Sequence, residues 1–570
     1  MNIKFVDTMS RRNFVKVAGA TGLAATLAAC GGGAEEPAAE GEGTEEPAAE
    51  GEGSAEPAAE AGGVTYTIGI PTAPASLDPI VAGDGVSMQI ISNCIEGLFV
   101  KDDNAQIQPG MCESYEVDDE NVTWTFHLRD QNWSNGDPVT SHDFLYAWQR
   151  SALGDNGGVD FQYQLSLCSF TNVDAVIAGE KDVSELGVEC PDDKTIVCHL
   201  DHPVAFLLDL FAFTPFAPIQ QKYREEKGDQ FALSQDDMLY NGPYILTQWD
   251  TAGSQIVMTK NPDYWDAANV QIDTVIEQVI TDTQQAIMNY QSGTVDYIEL
   301  TGDLVQQYEN EEGFKANPGI WVYYLMMNTE KPGMDTTDFQ KAIAYGIDRP
   351  DICDNILKDG STPAYQLTMV GLATNEAGED FATVSDQYYE FDEATAKEYW
   401  AKAIEETDAR SFTILYDEEK EFAKTTCSYI KDKLEKMLEG LTINLESTPK
   451  KNRIDREGQG DFDVIFHGWG PDYADPTAIL AMYNSDDPSN YSRWSNEEFD
   501  NLYREANTTL AGDAAARWDN LLRCNSIATD LSGCIPLYQS GAATITRPGV
   551  EGMTAHLTGV GCFFKFVTKA

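Results

Sequence analysis

The sequence predicts a mixed α/β protein with more than one core, and three observations carry that reading. Short runs alternate apolar and polar residues at period two, as in Val64-Thr-Tyr-Thr-Ile-Gly-Ile70, Trp124-Thr-Phe-His-Leu128 and Thr195-Ile-Val-Cys-His-Leu200, the pattern of half-buried strands. Residues 411–416, a helical stretch from about Glu418 to Leu438, and residues 441–445 read as strand, helix, strand, which implies a parallel pair joined by a crossover. The chain is 570 residues long, room for two to four cores at roughly 100 to 200 residues per domain, with helices such as 335–347 and 496–507 interleaved.

Composition narrows the function before any motif does. With 37 Lys+Arg against 94 Asp+Glu the net charge is −57, a surface that repels phosphate and excludes nucleic acid as a partner. A hydrophobic content of 42% and an aromatic content of 10% are globular values.

The first 30 residues read as an export signal. Arg11-Arg12 precedes an apolar run from about Val17 to Ala29, too short for a permanent membrane helix, which is the pattern of a twin-arginine signal. The run closes on Leu27-Ala28-Ala29-Cys30, which resembles the lipobox of bacterial lipoproteins, where the cysteine is acylated and becomes the new N-terminus. Its alternative is a signal peptide cut elsewhere, with Cys30 incidental. Residues 31–63 repeat Glu-Pro-Ala-Ala-Glu-Gly-Glu-Gly with a period of ten and contain ten Glu, no Lys and no Arg. Such a segment buries too little to offset its ordering entropy and reads as a disordered acidic tether, with a relaxed span on the order of 30 Å. The remaining body keeps 33 basic against 83 acidic residues, which reads as a solvated surface. The expected location is therefore extracytoplasmic, held to the membrane by lipid.

Catalytic signatures are missing: there is no His-Glu-x-x-His, Walker loop, Gly-x-Ser-x-Gly or Cys-x-x-Cys. Six histidines are few for a metalloenzyme of this length, and His199 with His202 lacks an obvious third ligand. No cofactor, metal or catalytic residue is expected. Of the cysteines after Cys30, Cys190 and Cys198 flank a Pro-Asp-Asp-Lys turn and are the candidate cross-hairpin disulfide, Cys524 and Cys534 the next; buried free thiols are the alternative.

A series of segments spread over the body carries a family resemblance. In order they are Ser76-Leu77-Asp78-Pro79 with Glu96-Gly97-Leu98-Phe99; Trp124–Arg129, Trp133–Phe144 and Tyr146–Arg150; Asn241-Gly242-Pro243-Tyr244 with Trp249 and Asn261–Trp265; Met327–Thr329 with Phe339 and Lys341–Arg349; and Gly468–Pro476. Together they resemble the extracytoplasmic oligopeptide- and dipeptide-binding proteins of ABC importers, solute-binding protein family 5, over residues 64–570.

The resemblance implies a two-lobed fold of the periplasmic-binding-protein type, class II, with an extra subdomain inserted in the first lobe. Lobe I would comprise 64–94, 220–320 and 536–570, the inserted subdomain 95–219, and lobe II 321–535. The implied function is capture of peptides between the lobes, without chemistry, by a monomer that delivers them to ABC transporter permease subunits. In the family's Trp-x-x-Asp-Tyr element the acid accepts the peptide's α-ammonium, here Asp472, with Trp469, Gly470 and Tyr473 around it. Gly85 and Val86, ending the segment from Ala82, would offer backbone groups from the opposite lobe. Beside this, tryptophans 124, 133, 148, 249 and 265 read as packing residues. Relatives that take longer peptides often place basic residues near the ligand's carboxylate, where this chain has Glu457, Gly458 and Phe466, with Arg453 and Arg456 upstream. Alternatives are a same-fold binder of a sugar or metal complex, a peptide-sensing co-receptor, a surface adhesin and a secreted hydrolase.

Overall fold

The structure is a computed structural model that describes residues 63–155, 161–249, 254–553 and 556–570. The expected export signal, Cys30 and the tether up to residue 62 lie outside the described residues. Among the described residues, no helix is long and apolar enough to cross a membrane.

The principal strands are β1 (Thr65–Ile70), β2 (Cys112–Val117), β3 (Thr123–Leu128), β4 (Val188–Asp192), β5 (Thr195–His199), β6 (Tyr244–Gln248), β7 (Gln255–Lys260), β8 (Thr274–Val279), β9 (Tyr297–Leu300), β10 (Phe314–Met327), β11 (Ser411–Asp417), β12 (Thr442–Thr448), β13 (Val464–Trp469) and β14 (Cys534–Thr546). Ten of these, with Thr362–Pro363 paired on β14, form one eleven-stranded sheet in the order β12-β11-β13-β10-β14-β9-β1-β8-β7-β6. A separate antiparallel sheet has the order β2-β3-β5-β4.

The expected strand-helix-strand unit is present. Strands β11 and β12 are parallel, in register from Ser411↔Thr442 to Asp417↔Thr448. Helix Glu421–Met437 joins them and buries Ala423, Cys427, Ile430 and Leu434 at helical spacing. Strand β10 shows the period-two rule: Tyr323, Leu325 and Met327 enter the core on one face, Val322, Tyr324 and Met326 the core on the other. A further core gathers residues 66–297 with the C-terminal Cys562, Phe564 and Val567. The long antiparallel strands β10 and β14 run between these cores, and their register shifts between Pro318 and Val322. Gly319 is needed there, because a Cβ would lie 2.3 Å from Ser540 Oγ.

Most of the dispersed motifs are buried clamps of the scaffold. Arg150 donates to both oxygens of Asp78, at 3.4 and 3.1 Å, joining the first motif to the second. Buried Glu96 accepts from Trp265 Nε1 at 2.7 Å and from the Tyr264 hydroxyl, while Asn241 exchanges two hydrogen bonds with the Glu96 backbone. Gly242 passes so close to Cys94 that a Cβ would sit 2.8 Å from its carbonyl carbon. Fully buried Arg349 donates to the carbonyls of Ala344, Ile347, Tyr389 and Pro536, and burial lowers its pKa to about 10. These hydrogen bonds offset the burial of the polar groups they reach, while Arg349 Nη2 has none among the described residues.

Three expectations need correction. Cys190 and Cys198 are free thiols: the irregularity between Glu189 and Asp192 sets Cys198 opposite Val188, and Cys190 Sγ donates to Ser141 O at 3.4 Å. Cys524 and Cys534 are likewise free and buried. Trp133, Trp148 and Trp249 are buried as expected, but Trp265 is exposed under the Arg129 guanidinium, 3.6 Å from its ring centre. Just before β13, the Asp463 carboxylate accepts Thr413 N–H at 3.0 Å.

Candidate ligand site

Strand β13 lies between β10 and β11 and ends at Trp469, which pairs with Val322. Trp469 therefore closes the strand and does not project from the loop: it is half-buried, and its indole N–H donates to Ala478 O at 3.1 Å, bracing the turn of residues 470–476. At Gly470 the chain crosses β10 so closely that a Cβ would meet Ile320 O at 2.9 Å. Trp321, the neighbour in that crossing, is exposed.

Asp472 follows with its side chain in contact with solvent, and among the described residues no hydrogen bond or ion pair reaches its carboxylate. Crowding by the surrounding walls desolvates it and raises its pKa above the ordinary aspartate value. Asp472 is thus exposed on one side and crowded by protein on the other. Tyr163 shares this space: burial first, then the carboxylates of Asp472 and Asp487, push its phenol pKa up.

The next acid behaves differently. Asp475 accepts Thr477 N–H at 2.9 Å and takes a bidentate bond from Arg517 at 2.7 and 2.9 Å. It is the turn cap of this loop, stabilised by a charge-assisted pair. Asp472 makes no such turn bond.

Tyr473 is buried and stacked on Phe206 with ring centres 4.0 Å apart. Ala474 N–H donates to Asp209 Oδ2 at 2.9 Å. Gly85 and Val86 are not an extended edge. They open helix Gly85–Cys94, capped by Asp84, whose Oδ1 accepts Ser87 N–H at 2.9 Å. Their N–H groups belong to the first turn, which has no helical acceptors. Among the described residues no hydrogen bond or ion pair joins Gly85 or Val86 to residues 469–473.

The cations upstream of β13 are spent on acids of their own surroundings. Arg453 bonds Asp417 at 2.6 Å and Glu457 at 2.7 Å, and Arg456 bonds Glu446 at 2.7 Å. Burial pushes the Glu457 carboxyl up, but His467 at 2.9 Å and Arg453 outweigh it, so its pKa is lowered. Sequence reasoning missed Phe206, Asp209, Tyr163 and Arg517. An acid inside the apolar run Phe206-Leu-Leu-Asp-Leu-Phe211 was a usable signal, since a partly buried carboxylate in such a run requires a partner.

Comparisons with known proteins agree with this architecture. The family model described as bacterial extracellular solute-binding proteins, family 5, middle, matches residues 106–491. The dipeptide-binding protein of Lactococcus lactis is 28% identical over 508 residues, covering 86% of this chain and 92% of that protein. The periplasmic oligopeptide-binding protein OppA of Salmonella typhimurium is 30% identical over 494 residues, covering 84% and 88%. The structure of Listeria monocytogenes OppA bound to peptide superposes with a TM-score of 0.68 at 28% identity, covering 90% of this chain and all of that one. With a family match over two thirds of its length, the chain belongs to the bacterial extracellular solute-binding proteins, family 5.

Proposed function

We propose that this protein captures peptides in a cleft between two lobes, by the α-ammonium, and passes them to the permease of an ABC importer. The observation that carries this is Asp472, an unpaired and desolvated carboxylate on the loop after β13, where a cation would be the missing partner. A carboxylate in such a place forms a strong charge-assisted bond to an ammonium, while main-chain pairing is indifferent to side chains. The lobes are read as 64–94, 220–320 and 536–570 with the inserted 95–219, against 321–535. Strands β10 and β14 then form the hinge, and the irregularity at Pro318–Val322 supports bending there. Trp469 and Gly470 shape the loop, Tyr473 anchors it, and the first turn at Gly85 and Val86 supplies backbone N–H groups. Arg453 and Arg456, being already paired, leave the ligand's carboxylate without a dedicated cation, which favours main-chain recognition at that end.

The reading is tested on the purified protein by native mass spectrometry for co-purified peptide and by solution scattering. Peptide is expected to lower the radius of gyration and to be recovered intact after long incubation. A ligand that proves to be a sugar or metal complex, or peptide cleavage that depends on the cleft, would overturn it.

Attachment to the outer face of the membrane is proposed through Cys30, on Arg11-Arg12 and the Leu27–Cys30 lipobox. Several acyl chains on one cysteine make a durable anchor. Cys30→Ala is expected to abolish lipid labelling and to release or mislocalise the protein; unchanged membrane retention and labelling would refute the anchor.

A further inference from the structure

The loop that carries Asp472 is gripped by residues that belong to a different core. Tyr473 and Ala478 pack into the core of residues 66–297 and not into those flanking β13. Phe206 stacks on Tyr473 with its plane tilted by 17°. Two residues past Asp472, the Ala474 N–H is held by Asp209 Oδ2 at 2.9 Å, while Asp209 Oδ1 meets Lys101 Nζ at 2.7 Å. Lys101 is itself buried and fixed by Thr558, donating to its Oγ1 at 2.7 Å and its carbonyl at 3.2 Å. On the other side, Arg517 holds Asp475. The chain is thus held at three consecutive residues, by the Tyr473 ring, the Ala474 N–H and the Asp475 carboxylate, directly after Asp472, which has no hydrogen-bond or ion-pair partner among the described residues.

We propose, on the reading of Asp472 as the ammonium anchor, that Phe206 and Asp209 are positioning residues that aim its carboxylate into the cleft. Phe206 fixes the ring of the adjacent residue and Asp209 fixes the peptide plane beyond it. An anchor held in its binding direction before the ligand arrives avoids the ordering cost at the moment of binding. The signature of this clasp is selective: a group that only packs the protein weakens all ligands alike, whereas a group that aims Asp472 weakens those with a free α-ammonium.

The test measures affinities of trialanine to pentaalanine, free and N-acetylated, by calorimetry on the intact protein. Phe206→Ala is expected to lower the affinity for the free peptides at least about fivefold and to leave the acetylated peptides within about twofold, so that discrimination shrinks. Phe206→Leu retains apolar volume without the stack and serves where the alanine variant does not fold. Asp209→Asn and Asp209→Ala share the loss of the pair with Lys101, but only asparagine keeps an acceptor for Ala474 N–H. The asparagine variant is therefore expected to discriminate better than the alanine variant. Equal losses for free and acetylated peptides in the Phe206 variants, or equal discrimination by the two Asp209 variants, would overturn the clasp. An unsubstituted protein that binds both kinds of peptide equally would overturn the ammonium reading itself, and the clasp with it.

Discussion

Asp472→Asn is expected to weaken the binding of peptides with a free amino terminus by roughly 10² to 10³ or more. The substitution keeps size and some hydrogen-bonding capacity but leaves the ligand's ammonium in the cleft without a counter-ion. A buried charge stripped of its partner typically costs about 3 to 5 kcal/mol, and each 1.4 kcal/mol is about tenfold in affinity. N-acetylated peptides should bind the unsubstituted protein comparably poorly. The two losses should not add, because both remove one interaction. Desolvation gives the effect a pH signature: the carboxyl pKa is raised, so the charged form is lost at a higher pH than an ordinary aspartate allows. Affinity for free peptides is expected to be full above that pKa and to fall as pH drops through it, while affinity for acetylated peptides stays flat. Calorimetry on both proteins with both peptides closes the cycle. Additive penalties, or an acetylated peptide that binds as well as the free one, would show that Asp472 does not hold an ammonium.

The second large effect concerns stability. Glu277 on β8 is 0% exposed, accepts Gln89 Nε2 at 3.0 Å on one oxygen, and has no partner for the other. Burial raises its pKa from 4.5 to about 7, against a small lowering by Gln89. The groups facing it are Gln89 and Cys94 from helix Gly85–Cys94 and Tyr66 from β1, none of them a cation. The folded protein therefore holds this proton up to about pH 7, whereas the unfolded chain releases it near 4.5. The stabilisation of the protonated form is present in full below 4.5 and is lost as pH rises to 7, about 3 kcal/mol in all. Glu277→Gln mimics the protonated carboxyl and removes the titration. Its urea unfolding midpoint is expected to match the parent at pH 4.5 and to exceed it at pH 8. If the two proteins keep the same difference at both values, Glu277 does not carry a proton into the neutral range.

Much of this was legible along the chain. Period two in Thr274–Val279 puts Glu277 on one face with Val275, but only the packing of helix Gly85–Cys94 and β1 against that face buries it. The parallel pair of β11 and β12, the helix starting after Asn496, and the segments that carry Asp78, Arg150, Glu96 and Trp265 were readable as local patterns or as family resemblance, whereas the pairings between those segments were not. The candidate site was legible as a loop and an acid. What escaped was its support: Phe206, Asp209 and Lys101 lie more than 260 residues away from Ala474, and no local periodicity reports such a pairing.

By itself, then, the sequence determined that the chain is acidic, mixed α/β and assembled from family 5 segments, because periodicity, turn chemistry and charge are properties of near neighbours. Only the tertiary structure decided which of two acids three residues apart is free. Asp475 is taken by Arg517, 42 positions further on, while Asp472 meets no cation among the described residues and is desolvated by its surroundings. The same holds for Trp469, which the ladder with Val322 turns into a brace, and for Cys198, which a one-strand irregularity sets opposite Val188. Pairing and desolvation act through space and change with displacements of a few ångströms, so the chemistry of a site is settled only when distant segments have packed.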